Sequence, residues 1–271
     1  GAGCSTAPVV YTRSLPRDAA NVADTHTPDH ANVELNDAVN GQEVTHQGGG
    51  KLFLVSKPVR EIAGAETLDE RFQEHISNPS SPLARALAAL RPDCMSPPED
   101  VLFMDIETTG LASSPLFLIG VMVWTAQGFE VRQFLARNYA EERPVVASFC
   151  DVADPRPLLV TFNGKSFDLP YIRARAAATG VRFAVAPAHL DLLHVGRRFW
   201  KTSLPNCKLQ TLERFICGRI RHGDIPGSEI PEAYHHYVRT ENAYQIVDIL
   251  EHNMLDLVTL ADIMTRFPDE C

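Results

Sequence analysis

The amino-acid sequence predicts an α/β fold, with a mixed central sheet whose first three strands are antiparallel, flanking helices and an irregular N-terminal extension. The apolar run VLFMDIE at 101–107 is typical of a buried strand, and LFLIGVMVW and FEVRQFLA, separated by the turn TAQG, predict two more strands beside it. Helical periodicity then alternates with the apolar run PLLVTF. From Leu190 onward the pattern is mostly helical, and a last helix is expected from about Glu241 to Arg266.

Two regions are expected, an N-terminal extension at 1–100 and the main α/β domain at 101–267. Residues 1–50 are rich in Asn, Asp, Thr, His and Gly without sustained periodicity, so the extension is expected to be partly disordered. The alternations ANVEL and KLFLVS predict short strands within it, and a helical pattern follows at about 65–90. The linker RPDCMSPPED then places the main boundary at Val101.

Composition limits the class of protein. With 271 residues and 45% hydrophobic content, the chain is long enough for one large core. No apolar run approaches the roughly 20 residues of a membrane span, and the chain opens without a basic and apolar leader, so a soluble protein with no membrane partner is expected. Six scattered cysteines argue against a zinc site and favour a reducing compartment, which predicts a cytoplasmic location. The sequence leaves the oligomeric state open.

The charge is unevenly distributed along the chain. The formal net charge of −9 argues against coating of nucleic acid by bulk electrostatics. From Arg156 to Arg221, however, 12 basic residues stand against three acids. This segment fits a surface that holds a polyanion, and it equally fits solvated helix faces.

The first candidate site residues are Asp105 and Glu107, in VLFMDIE. The two-residue period of a strand places both carboxylates on one face, where a divalent cation is the usual means of neutralising them. Acids at a strand end that simply face water are the alternative interpretation.

The second candidate is Asp168 in VTFNGKSFDLP, which follows a predicted strand and a turn and lies in the first turn of a helix. Plain capping of that helix is the alternative role. Asn163 and Lys165 belong to the same turn, where Asn can brace the loop and Lys can contact a phosphate. Both residue types are also ordinary in exposed turns.

The third candidate pair is His252 and Asp256 in EHNMLDLVTLADI, four residues apart and therefore on one face of a predicted helix. An imidazole beside a carboxylate suits a general base that takes a proton from water, and a structural histidine is the alternative. Together the three stretches supply four acids and one base. Hard oxygen ligands of this kind are what two divalent cations need for phosphoryl transfer.

The stretches DIETTGL, FNGKSFD and HNMLD resemble the three motifs of the DEDD superfamily of 3′-5′ exonucleases, which have a ribonuclease H-like fold. The resemblance implies a nuclease that releases mononucleotides from a single-stranded 3′ end of DNA or RNA. It implies two Mg²⁺ or Mn²⁺ ions, held by Asp105, Glu107, Asp168 and Asp256.

The same resemblance implies that His252 assists the attacking water and that Thr108 and Leu111 seat the terminal nucleotide. A turn residue and a core leucine are the alternative interpretations of Thr108 and Leu111. Three residues separate His252 from Asp256, where the histidine-type branch has four. This spacing is that of the tyrosine-type branch with His in place of Tyr, so the identity of the general base stays open.

A more detailed resemblance, from about Val101 to Met264, is to the YprB-like ribonuclease H-like family. It includes SSPLFLIG, HLDLLHVGRRFW, CKLQTLE and DIPGSEIPEAYHHY. Within these segments Asp191 is interpreted as a helix cap, and RHGDIPGSEIP as a structured loop. A basic cluster with one aromatic residue either grips a strand or packs its Trp inward; its members are Arg197, Arg198, Trp200 and Lys201.

Two alternatives to an exonuclease are carried forward. A nucleic-acid-binding module without turnover would keep the fold, although an unneutralised carboxylate cluster is costly to keep. An endonuclease on structured substrates would use the same metal chemistry.

Overall fold

The computed structural model describes residues 9–12, 32–91, 97–110, 114–183 and 188–269, with the backbone alone at 9–12. Leu111, most of the irregular stretch at 1–31 and the linker residues 92–96 lie outside this range.

A mixed sheet of seven strands forms the centre of the described part of the chain. In chain order its strands are β2 (Gly41–Thr45), β3 (Lys51–Pro58), β4 (Val101–Thr108), β5 (Leu116–Thr125), β6 (Gly128–Leu135), β7 (Leu158–Thr161) and β8 (Ala188–Asp191). Their order across the sheet is β2-β3-β6-β5-β4-β7-β8. A separate parallel pair is formed by β1 (Val9–Thr12) and β9 (Arg219–His222).

The centre of the sheet follows the sequence prediction. β4 pairs antiparallel with β5, and β5 with β6, whereas β7 and β8 continue the sheet in parallel on the other side of β4. The predicted antiparallel arrangement of the first three strands of the main domain is therefore confirmed. Asp105 of β4 faces Gly120 of β5, and the register shifts between Glu107 and Thr108, where β4 ends.

The extension contributes two further strands to this sheet. KLFLVS lies within β3, as predicted, and β3 pairs with β6 on one side and with the edge strand β2 on the other. The strand prediction for ANVEL is wrong: Leu35 begins a one-turn helix, α1 (Leu35–Ala38), and the strand of this region is β2, a few residues later. The boundary at Val101 stays a prediction, and the hairpin ahead of it is bonded to the domain that follows.

Helices cover both faces of the sheet. They are α2 (Leu68–Ser77), α3 (Pro82–Leu90), α4 (Glu142–Ala153), α5 (Asp168–Thr179), α6 (Leu192–Trp200), α7 (Leu209–Leu212), α8 (Ile230–Thr240) and α9 (Tyr244–Met264). Short 3₁₀ turns lie at Val59–Glu61, Pro98–Asp100 and Tyr139–Glu141, and a π-helical turn at Glu213–Cys217 follows α7. In the described part of the chain, no helix has both the length and the apolar composition to cross a membrane.

Alternate residues of β4 enter two different hydrophobic cores. Leu102 and Met104 join the core that contains α4, α5 and α8, whereas Val101 and Phe103 join the core that contains α2 and most of α9. The two-residue strand period therefore points Asp105 toward the face that α9 covers. This arrangement brings a carboxylate of β4 against the polar residues of α9.

Candidate active site

The acids of the three motifs come together at the end of β4. Asp105 and Glu107 are partly buried there, and Asp168, the first residue of α5, is 5% exposed. Burial raises the pKa of Asp105 well above its usual range, and the charges of Asp256 and Asp168 raise it further. Burial likewise raises the pKa of Glu107, and Asp105 is the strongest of the acids that add to the shift. The four predicted acids thus form one negatively charged cluster.

Asp168 links β4 to the start of α5. Burial raises its pKa to about 7, and the charge of Asp191 adds to the increase. Backbone hydrogen bonds involving Asp168 itself and Ile106 oppose the shift. Asp168 lies in the first turn of α5, as predicted, but the N-cap is Phe167 and makes no side-chain cap hydrogen bond. The Asp168 carboxylate faces the acidic cluster instead.

Asp191 organises the turn between β7 and α5. Its carboxylate caps α6 by accepting a hydrogen bond from the Leu193 N–H at 3.1 Å, as predicted. It also accepts hydrogen bonds from the N–H groups of Asn163 at 2.8 Å and Lys165 at 3.1 Å. Asn163 has a left-handed backbone with φ of 63°, a conformation that Asn tolerates better than most residues. This turn is therefore fixed by a side chain from the neighbouring strand, β8.

His252 is held between two carboxylates. Its Nδ1 lies 2.8 Å from Asp224 Oδ1, and its Nε2 lies 3.6 Å from Asp256 Oδ2. Burial lowers the pKa of His252, but the hydrogen bond to Asp224 and the charge of Asp256 outweigh it, so the pKa is raised overall. Although burial acts to raise the pKa of Asp224, its contacts with His252 and Arg221 lower it overall. The Asp224 carboxylate thus accepts a hydrogen bond from the Nδ1–H of His252. Nε2 is on the side of the acidic cluster.

Arg221 supplies a positive charge at the same place. Its side chain is 5% exposed, and its Nη2 lies 2.6 Å from Asp256 Oδ1. Its Nε donates to Glu213 Oε2 at 2.7 Å, and its Nη1 lies 3.4 Å from Asp224 Oδ2. Burial acts to lower the pKa of Arg221, but the carboxylates of Asp256, Glu213 and Asp224 raise it. One oxygen of Asp256 is therefore engaged by a buried guanidinium.

Asn253 fixes the conformation of Asp105. Its Nδ2 donates a hydrogen bond to Asp105 Oδ2 at 2.8 Å, and its Oδ1 accepts one from Gln133 Nε2 at 2.9 Å. The contact depends on Gly120, because a Cβ at that position would lie 2.0 Å from Asn253 Oδ1. Three strands and α9 therefore determine the orientation of one carboxylate.

A cleft of about 650 Å³ opens in front of the cluster. Asp105, His252 and Asp256 line one part of it. The residues that line the rest are Phe162, Asn163, Leu193, Arg197, Asn206, Cys207, Lys208, Leu209, Gln210 and Gly227. Carboxylates at one side and basic side chains at the other make this cleft suitable for a ligand with a negatively charged backbone.

The predicted substrate-binding residues have different positions. Asn163 lines the cleft, whereas the Lys165 side chain is exposed and is not part of the lining. The Thr108 hydroxyl donates to the Gly110 carbonyl at 2.9 Å. Leu111 lies outside the described residues. Their roles toward a substrate stay predictions.

The donor set fits a hard cation by its chemistry. Asp105, Glu107 and Asp168 have raised pKa values, and the charge of Asp256 helps to raise those of Asp105 and Glu107. Carboxylate oxygens are the ligands that Mg²⁺ and Mn²⁺ prefer. Within the described ranges, however, no three His, Cys, Asp or Glu side chains stand close enough together to form a ready cation site. Asn253 and Arg221 each engage one oxygen of the Asp105 and Asp256 carboxylates, so a cation would be held by the other oxygen of each.

Sequence reasoning missed three residues of this site. Asp224 and Arg221 belong to RHGDIPGSEIP, which was interpreted only as a structured loop, although its first two residues are the end of β9. Asn253 follows His252 directly in HNMLD, and its polar side chain on a buried helix face was the available signal. Arg197 of the predicted basic cluster lines the cleft, and Trp200 packs against the core.

The sequence profile of the RNase H superfamily matches residues 102–267. The chain is similar to the uncharacterized protein YprB of Bacillus subtilis (strain 168), with 32% identity over 169 residues, 60% of this chain and 41% of that protein. It is also similar to the structure of the family B DNA polymerase from the hyperthermophilic archaeon Pyrobaculum calidifontis, with a TM-score of 0.50 and 21% identity over 60% of this chain and 24% of the polymerase. The chain thus spans less than half the length of either protein. The profile and the YprB match confirm the predicted YprB-like, ribonuclease H-like domain.

Proposed function

This chain belongs to the RNase H superfamily, and from that we propose that it is a metal-dependent nuclease that hydrolyses phosphodiester bonds of DNA or RNA. We further propose that it is a 3′-5′ exonuclease of the DEDD type. The observation that carries the proposal is the acidic cluster itself, in which Asp105, Glu107 and Asp168 have raised pKa values beside Asp256. Such a cluster is costly in a folded protein unless a cation or a reaction makes use of it.

In this proposal, Asp105, Glu107, Asp168 and Asp256 hold two Mg²⁺ or Mn²⁺ ions. When bound, the ions supply positive charge that stabilises the attacking and leaving oxygens of the phosphodiester. Asn253 keeps the Asp105 carboxylate turned toward the cleft, and Arg221 does the same for Asp256. The chain thereby orders its ligands before a substrate arrives.

His252 is the group we assign to the attacking water. The Asp224 carboxylate accepts a hydrogen bond from Nδ1–H, so Nε2, which lies 3.6 Å from Asp256 Oδ2, is the nitrogen that can accept a proton in the cleft. The carboxylate of Asp224 also stabilises the imidazolium that results. This arrangement supports His252 as the general base in spite of its unusual spacing from Asp256.

The substrate we propose is a single-stranded 3′ end. The cleft beside Asp105 offers Arg197 and Lys208 to phosphates and Asn163 to a polar group of the nucleotide. The phosphate contacts do not distinguish DNA from RNA, because the two differ in the 2′-hydroxyl of the sugar.

A binding module without turnover is the second candidate. The Arg221–Asp256 ion pair is the observation in its favour, because a guanidinium already neutralises one proposed ligand.

A comparison of linear and circular single-stranded DNA and RNA, incubated with Mg²⁺ or Mn²⁺, separates the candidates. Mononucleotides from the linear strand alone support an exonuclease. Cutting of the circle would show an endonuclease, and binding without products would favour the module.

A further inference from the structure

A second groove continues from the cleft in front of Asp105. It measures about 730 Å³ and shares Asn206 and Gln210 with that cleft. We call it the Phe215 groove; its lining residues include Arg214, Phe215, Arg219, Arg221, Asp224 and Pro226. Since Arg221 contacts Asp256 and Asp224 contacts His252, the Phe215 groove begins directly beside the candidate active site.

Phe215 lies on the π-helical turn at Glu213–Cys217 and has a 53% exposed side chain. In the same turn Glu213 points inward to Arg219 and Arg221, so Arg214 and Phe215 face solvent. The Arg214 guanidinium lies 5.5 Å from the centroid of the Phe215 ring. An exposed ring with a cation over it offers a flat surface on which a nucleic-acid base can stack.

The charges along both hollows favour an anionic partner. The acids of the Phe215 groove, Glu213 and Asp224, are already paired with Arg219, Arg221 or His252. Arg197, Lys208 and Arg214 line the two hollows without an ion pair to any acid in the described part of the chain. The lining of the Phe215 groove thus has three arginines against two acids next to an exposed aromatic ring, although the whole chain is acidic.

We propose that the Phe215 groove binds single-stranded nucleic acid, with Phe215 stacking on a base and Arg214 contacting the backbone. The strand segment it holds lies several nucleotides away from the end at Asp105. Unpaired bases are required for stacking, which excludes an intact duplex in this groove. The placement of the 3′ end of the strand at Asp105 rests on the proposed function. Binding of the strand in the Phe215 groove does not require that the protein hydrolyses it.

Fluorescence anisotropy with labelled oligothymidylates of about 4 and about 12 nucleotides, in Ca²⁺ or EDTA to prevent cleavage, tests this inference. Oligouridylates of the same lengths form a second arm that compares the two sugars. The wild type is expected to bind the longer strand more tightly. Phe215→Ala is expected to weaken binding of the longer strand by about 10-fold and to leave the shorter one unchanged. Phe215→Trp should restore the affinity, because it keeps an aromatic face.

Leu90→Ala is the matched control, since Leu90 is 39% exposed on α3 and lines neither hollow. Arg214→Ala should reduce the salt dependence of binding by about 0.7 in the slope of log K against log salt, and Arg214→Lys should keep it. Equal affinity for both lengths, or equal effects of Phe215→Ala and Leu90→Ala, would overturn the inference. If the wild type binds the strands but does not cleave them when Mg²⁺ or Mn²⁺ is supplied, the proposed nuclease activity is wrong and the groove is unaffected. If the protein cleaves, but Phe215→Ala prefers the longer strand as strongly as the wild type does, the proposed groove is wrong and the nuclease activity is unaffected.

Discussion

At the scale of single residues, the site is defined by what its acids contact. Asp105 is oriented by Asn253, Asp256 by Arg221, and His252 by Asp224. Each of these partners comes from α9 or from the segment around β9, so side chains distant in sequence determine how the motif residues point. The proposed chemistry therefore depends on Arg221 and Asp224, which lie outside the three motifs, as well as on Asn253 within the third.

The first prediction concerns the pair formed by His252 and Asp224. Asp224→Asn is expected to lower kcat by about 10- to 100-fold, because the ring loses the carboxylate that orients it. The amide oxygen of the variant can still accept from Nδ1–H, but the negative charge that helps to raise the pKa of His252 is lost. Since the base works in its neutral form, activity rises with pH through this pKa. The acidic limb of the pH profile of kcat should therefore move to lower pH.

Asp248→Asn is the control for this change, because Asp248 lies on the same helix as His252, one turn away, and borders the Arg221–Asp224 corner. It should leave the acidic limb in place. An acidic limb that does not move in Asp224→Asn would contradict the assigned role of Asp224.

Sequence alone identified the acids and His252 because each lies in a short motif with its own local signal: a strand end, a helix start and a helical i, i+4 pair. Asp224 and Arg221 carried no such signal. Their contacts arise only when β9 is placed beside α9, and that placement is a tertiary event which spacing along the chain does not encode. Asp191 was identified as a cap, but its support of the Asn163 turn required the pairing of β7 with β8.

At the scale of elements, the site depends on the close approach of α9 to the sheet. The helix lies across β4 and β5, and Gly120 of β5 leaves the space that the Asn253 side chain fills. Gln133 Nε2 donates to Asn253 Oδ1 and to the Leu250 carbonyl, so the polar groups buried at this junction are paired with one another.

The second prediction is that Gly120→Ala destabilises the protein by about 1–3 kcal/mol, because its Cβ would lie 2.0 Å from Asn253 Oδ1 and force that side chain to move. Urea unfolding measures the change. Gly227→Ala is the control, since its Cβ would meet no atom within 4 Å. Equal stabilities of the two variants would show that α9 does not approach β5 as closely as described.

The third prediction concerns the buried ion pairs behind the site. Glu213 is 2% exposed and bridges Arg219 and Arg221, so Glu213→Ala leaves two buried guanidinium groups without this partner. We expect a loss of about 3–5 kcal/mol in the free energy of unfolding. Glu232→Ala breaks an exposed ion pair with Arg239 and should cost nothing measurable. A similar stability of both variants, measured by urea unfolding, would contradict the structural role of Glu213.

At the scale of the whole molecule, the seven-stranded sheet joins the extension to the main domain. The strands at 101–135 were predicted because their apolar runs and turn carry strong local signals. β2 was missed because its sequence, GQEVT, is short and mostly polar, and the hairpin it forms with β3 is stabilised by pairing with β6. The cytoplasmic location stays a prediction.

The fourth prediction follows from the raised pKa values of the acidic cluster. An acid whose pKa is higher in the folded state than in the unfolded state makes the folded protein less stable as the pH rises. For Asp168 this loss occurs between its ordinary value of 3.8 and about 7. The raised pKa of His252 acts in the same direction. In EDTA, the Tm should fall by about 3 °C or more between about pH 6 and about pH 8.

Asp168→Asn should show a smaller fall, because it removes one of the groups whose titration lowers the stability in this range. Mn²⁺ should raise the Tm of the wild type more at the higher pH, where the acids are ionised. A Tm of the metal-free protein that is equal or higher at the higher pH would refute the proposed electrostatics of the cluster.

The most direct test of the central claim is a time course with Mn²⁺ on 5′-labelled single-stranded DNA and RNA, with wild type and Asp105→Asn compared. The substitution keeps the size of the side chain and removes one proposed ligand, so we expect the rate to fall by about 100-fold or more. Progressive shortening by one nucleotide at a time in the wild type, lost in Asp105→Asn, is the predicted result. Intact strands with the wild type, or the same ladder from both proteins, would contradict it.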